Sequence, residues 1–205
     1  MLGSNKIITE RNKSNIVIEP YNQNQVNPNS YDITLGNHFY ILKDSNIVFS
    51  LEDSKLESLY SDLIYIKYNN EFILEPGMCI LAHTEEFIGS YKYATLLKAR
   101  STFGRLFIDV CPSAGFGDVG YVNRWTLEIK NNSKIHYILK PYMRLGQICF
   151  LEVDGCKQVY KGIYNNYFLS QLTRFSKFPK PSIDYMMKFW NPESMLPKIG
   201  HDRVF

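Results

Sequence analysis

No apolar run in the 205 residues approaches the roughly 20 needed to cross a bilayer as a helix. The first fifteen residues, MLGSNKIITERNKSN, lack the hydrophobic centre of a secretion signal. A soluble, cytoplasmic protein is the expectation, with no membrane partner. The four cysteines, Cys79, Cys111, Cys149 and Cys156, form neither a C-x-x-C pair nor a dense framework. That excludes a disulfide-stapled secreted module and points to reduced thiols. There is no long lysine or arginine run, and a net charge of +3 is too small and too scattered for a nucleic-acid binder. A small anionic metabolite stays compatible. Strand-helix-strand spacing and internal repeats are missing as well.

What is present fits one domain with a real core: hydrophobic residues make up 45% of the chain and charged ones 21%. Residues 1 to 15 are polar with room for a short helix, and Ile16 to Glu19 reads as a brief strand ended by Pro20. Ser30 to Ile41 is rich in β-branched and aromatic residues around Gly36-Asn37, which predicts a first hairpin. Residues 43 to 71 mix helical spacing with a strand-like Leu63 to Ile66, giving a loop with one helical turn and then a strand. From Glu71 short strands recur: Phe72 to Leu74, the turn Glu75-Pro76-Gly77-Met78, Cys79 to His83, and Ala94 to Lys98. Leu106, Ile108 and Val110 read as the inward face of the next strand, with Phe107, Asp109 and Cys111 on the other side. Ile148 to Val153 closes the series. Regular short strands separated by turns imply an all-β sandwich or barrel.

The stretch from Arg100 to Asn131 carries the chemistry. Arg100 and Arg105 bracket the hydroxyls of Ser101 and Thr102, a donor set suited to polyphosphate oxygens. The loop Ser113 to Gly120 contains three glycines, which lets backbone come close to a ligand. In Thr126-Leu127-Glu128-Ile129-Lys130, period-two alternation turns Leu127 and Ile129 one way and Glu128 the other.

These motifs, in this order, resemble the dCTP deaminase branch of the dUTPase-like superfamily. The likeness extends to Gln25-Val26-Asn27-Pro28-Asn29-Ser30-Tyr31-Asp32-Ile33-Thr34-Leu35-Gly36, to Leu74-Glu75-Pro76-Gly77 and to Met143-Arg144-Leu145-Gly146-Gln147, covering roughly residues 15 to 175. It implies a distorted jelly roll with short helical segments over residues 1–158 and an irregular C-terminal arm and extension over 159–205. It also implies a homotrimer with active sites between subunits, acting on dCTP or dUTP. Arg100, Ser101, Thr102 and Arg105 would hold the triphosphate, with Ser101 close enough to assist the reaction. Ala114 and Asp118 would meet base and sugar, Thr126 and Leu127 backbone the pyrimidine edge, and Tyr160 of the arm would join the substrate-binding set. Glu128 would be general base and acid, a desolvated carboxyl that takes a proton from water and passes it to the ring and the leaving ammonia. Asp32 would be a buried hydrogen-bonding carboxylate without catalytic duty.

Mg²⁺ would accompany the triphosphate, held mainly by phosphate oxygens and water. Zinc is not expected: His83-Thr84-Glu85 matches the H-x-E of the unrelated zinc deaminases, but P-C-x-x-C is missing, so His83 reads as a strand residue. Several positions depart from the family pattern: Ala99 for a leading glycine, Gly117 before the aspartate, Asn123 for a glycine, and Val159 and Ile163 where polar residues are usual in the arm. The implied main reaction is dCTP plus water to dUTP plus ammonia. Phe116, where monofunctional deaminases often carry arginine, keeps open a bifunctional enzyme that continues to dUMP. A dUTPase and an inactive nucleotide-binding sandwich are the remaining alternatives.

Overall fold

The structure is a computed structural model, and residues 1–43, 48–50, 59–61 and 64–161 are described. It begins with helix α1 (Ser4–Asn12), which buries Ile7 and Glu10 against the sheets. Strand β1 (Ile16–Glu19) follows as expected, its first three side chains buried.

Two sheets face each other. The first runs β4 (Ile64–Tyr65), β3 (His38–Ile41), β6 (Cys79–Ser90), β10 (Val122–Asn131) and β8 (Ile108–Val110), with β1 also paired to β6. The second runs β2 (Tyr31–Thr34), β12 (Arg144–Leu151), β7 (Ala94–Ala99) and β9 (Phe116–Gly117). A ribbon of β5 (Phe72–Leu74) and β11 (Tyr137–Leu139) completes the set, and helix α2 (Ser101–Arg105) links β7 to β8. Ile33, Leu35, Phe39, Leu97, Leu127, Ile148 and Phe150 are fully buried in one cluster. Each contributes about 1.5–3 kcal/mol by leaving water, so the alternation of these strands decides which face turns inward. The result is the all-β, jelly-roll-like sandwich expected from the strand pattern.

Four local expectations are corrected. The stretch Ser30 to Ile41 is not a hairpin: β2 pairs with β12 in one sheet and β3 with β6 and β4 in the other. Gly36-Asn37 carries the chain between them. The Gly36 N–H donates to His83 O at 2.7 Å, and a Cβ on Gly36 would lie 2.0 Å from the His83 ring. Glycine is needed here for close approach rather than for a tight turn.

Strand β6 does not stop at His83. It continues to Ser90 through a bulge in which Thr84, Glu85 and Glu86 stand opposite the single residue Trp125 of β10. The Thr84 hydroxyl accepts from the Trp125 N–H (2.9 Å) and donates to Glu86 O (2.7 Å), standing in for the missing ladder partner.

Leu106 is not on the inward face of β8. It follows α2 and is 38% exposed, while Phe107 adopts φ 57° and donates its N–H to Gly104 O. A left-handed residue just past a helix end closes the last turn, so the strand can start only at Ile108. Cys111, expected on the outer side, is fully buried at φ 47° as the chain turns out of β8.

The strand predicted in Leu63 to Ile66 is present as β4, but much of the preceding loop lies outside the described residues. So does the arm beyond residue 161, including Ile163.

Candidate active site

Along β10 the side chains of Trp125, Leu127 and Ile129 enter the core, leaving Thr126, Glu128 and Lys130 on the outer face. Glu128 stands opposite Leu81 of β6 and is itself half-buried. Burial pushes its carboxyl above the ordinary carboxylate range, against the opposing pull of the nearby Ala114 N–H. Such a group keeps its proton to higher pH than a solvated glutamate does.

The loop that supplies Ala114 is tied to the same strand. Cys111 donates its N–H to Glu128 O (2.9 Å) and its thiol to Thr126 O (3.5 Å). Two of the loop glycines are required by the packing of the fold. A Cβ on Gly115 would lie 2.4 Å from Leu97 O, and one on Gly117 would lie 2.3 Å from the Thr95 hydroxyl and 2.7 Å from the Trp125 ring. They let β9 pair closely with β7. Phe116 projects outward, 59% exposed.

Asp118 is exposed and opens a turn in which the Tyr121 N–H donates to Asp118 O (3.0 Å) and Gly120 takes φ 96°. Tyr160 returns to this turn. Its N–H donates to Val119 O (2.7 Å), and its ring meets Tyr121 edge-on at 5.4 Å. Val159 lies against Gly120, so this part of the arm reaches the loop through packing and backbone contacts.

Arg100 precedes α2, which is anchored by buried Phe103 while Ser101, Thr102 and Arg105 stay exposed. The Arg100 N–H donates to Leu145 O (3.0 Å), and its Nε lies 3.4 Å from Asp32 Oδ2. Asp32 is the buried carboxylate expected, accepting from Asn27 Nδ2 at 2.8 Å. Arg144 joins it at 3.6 Å, a cation that the sequence shows only as part of a strand entry. Two guanidinium groups thus share one carboxylate, leaving net positive charge beside the exposed hydroxyls.

The structure therefore joins Glu128 with Ala114 and Thr126, Asp118 with Tyr160 through Val119 and Tyr121, and Arg100 with Asp32 and Arg144. Among the described residues no hydrogen bond or ion pair links the arginine-hydroxyl segment to Glu128 or Asp118. His83 lies in β6, its Nδ1 bonded to Thr84 O at 2.8 Å, and burial lowers its pKa to about 3. No group of three His, Cys, Asp or Glu side chains among the described residues is arranged to hold a metal ion. No helix among them is long and apolar enough to cross a membrane.

Known proteins resemble this chain in sequence and in fold. A proteins named "dCTP deaminase, dUMP-forming" from Clostridium botulinum is 35% identical over 167 residues, covering 81% of this chain and 91% of the relative. One of the same name from Cytophaga hutchinsonii is 35% identical over 162 residues, 78% of this chain and 88% of the relative. Among solved structures, the 2'-deoxycytidine 5'-triphosphate deaminase from Agrobacterium tumefaciens superposes with a TM-score of 0.57 at 20% identity. It covers 73% of this chain, which spans 47% of that longer one, and it bears on the fold alone. The model of the dCTP deaminase-like family matches residues 1–153, and the chain belongs to that family.

Proposed function

We propose that the protein hydrolyses dCTP to dUMP, with ammonia and pyrophosphate as the other products. The observation that carries the reading is Glu128: a half-buried carboxyl of raised pKa, facing outward beside a loop N–H. Glu128 takes a proton from the water attacking C4 of cytosine, delivers it to N3, and helps ammonia leave. The Ala114 N–H holds the carboxyl, while backbone at Thr126 and Leu127 reads the pyrimidine edge. Arg100, Ser101, Thr102 and Arg105 grip the phosphates, with Ser101 nearest the reacting group. Asp118 binds the sugar 3′-hydroxyl and orients the second water, which attacks the α-phosphate. Tyr160 flanks the substrate from the arm.

The dUMP product, rather than dUTP, is supported by the names of the relatives and by exposed, uncharged Phe116. Mg²⁺ fits as the nucleotide's companion. The carboxylate nearest the arginine segment, Asp32, is already engaged by two arginines and Asn27, so phosphate oxygens and water would hold the ion. A cytoplasmic homotrimer with sites shared between subunits is part of the same proposal, supported by the family resemblance.

The test is product analysis after incubation with dCTP and Mg²⁺, measuring ammonia and pyrophosphate separately. Equal amounts of both, with dUMP as the nucleotide, are expected. Ammonia with dUTP alone would reduce the reading to a monofunctional deaminase. Tight dCTP binding without ammonia would leave a nucleotide-binding sandwich.

A further inference from the structure

The outer face of the first sheet is not simply a wet surface around Glu128. Pairing sets Glu128 opposite Leu81, and Leu81 in turn opposite Tyr40, so the three side chains form a row across β10, β6 and β3. Their neighbours Phe39, Ile80 and Ala82 point into the main core, which puts Leu81 and Tyr40 on the opposite face. Both are nevertheless only 7% exposed, because Tyr60 packs on them to form a second apolar cluster. Tyr60 is positioned there by a bridge to Leu42 and stands close enough to feel the Glu128 charge.

Other titratable groups lie on the elements around this carboxyl. They are Arg124 and Lys130 on β10, Cys79 and His83 on β6, His38 on β3, Asp109 on β8, and Cys111 after it. Lys130 is exposed and screened by solvent, while Arg124 is engaged by Glu85 at 3.6 Å. Water exclusion by the apolar cluster is therefore the influence that favours the neutral carboxyl, and the Ala114 N–H is the one that favours its ion. Burial is the larger of the two, so the carboxyl holds its proton more tightly than a solvated glutamate does.

We propose that Tyr40, Leu81 and Tyr60 are positioning residues for Glu128, forming an apolar shelf that keeps water from one side of its carboxyl. The inference rests on the reading of Glu128 as the proton shuttle, but the shelf is testable without turnover.

The Glu128 carboxyl is followed in the full-length, nucleotide-free protein by ¹³C NMR with labelled glutamate, its signal identified by its absence from Glu128→Gln. Tyr60→Ser and Leu81→Thr should each lower its titration midpoint by about one pH unit. Tyr60→Phe, which keeps the ring, should retain the wild-type midpoint. The acid limb of ammonia release should move with the midpoint, while KM for dCTP stays within about twofold. An unchanged midpoint in either polar variant, with native near-UV circular dichroism, would overturn the shelf. So would a lowered midpoint in Tyr60→Phe. If the wild type released no ammonia, the proposed function would fall, while the titration would still decide the shelf.

Discussion

The backbone N–H of Cys111 donates to the carbonyl of Glu128 at 2.9 Å, tying the small-residue loop to its strand, and the Ala114 N–H in that loop lies near enough to the Glu128 carboxyl to lower its proton affinity. That N–H favours the ion, and burial favours the acid. Their competition is the physical basis of the proposed chemistry.

Replacing Glu128 by Gln keeps the shape and removes the proton acceptor. Ammonia release from dCTP should fall by roughly 10²–10⁴-fold, the usual worth of a positioned general base. Binding of dCTP, followed by calorimetry, should change by only a few-fold. Undiminished ammonia release would remove Glu128 from the mechanism.

The pH profile follows from the direction of the Glu128 shift. A general base must be ionised, so kcat/KM should rise with pH through its pKa and level off above it. Because burial raises that pKa, the acid limb should lie above the ordinary glutamate value of about 4.3. A limb at or below that value, measured for ammonia release, would mean that the carboxyl is solvated when it works.

Asp32→Asn leaves Arg100 and Arg144 without their shared counter-charge while keeping most of the shape. Since Asp32 is buried but both arginines reach solvent, the loss should be about 1–3 kcal/mol, read as a lower urea midpoint. Loss of this tether should also raise KM for dCTP, because Arg100 is no longer held beside the hydroxyls.

Two glycines should respond in opposite directions to alanine. Gly117→Ala forces a methyl against the Thr95 hydroxyl and the Trp125 ring and should cost about 1–3 kcal/mol. Gly104→Ala, in α2 with open space around the new methyl, should be neutral or stabilising by up to about 1 kcal/mol. Thermal unfolding of the two variants checks both.

The β10 alternation and the strand β1 were legible in the chain because each depends on the order of neighbouring side chains. The pairing of β2 with β12 was not, since Asp32 and Gln147 meet across more than a hundred intervening residues. The same limit hid the bulge of β6, where a threonine hydroxyl replaces a ladder partner. It also hid the packing role of Gly115 and Gly117, whose hydrogens face Leu97, Thr95 and Trp125.

By itself the sequence determined an all-β chain, the outward aim of Glu128, and the local grouping of Arg100, Ser101, Thr102 and Arg105. Those follow from period-two geometry and from residues a few places apart. Only the tertiary structure decided that Arg144 shares Asp32 with Arg100, and that Tyr40, Leu81 and Tyr60 gather beside Glu128. A carboxyl's proton affinity depends on which groups exclude water from it, and distant segments reach it only when the sheet assembles.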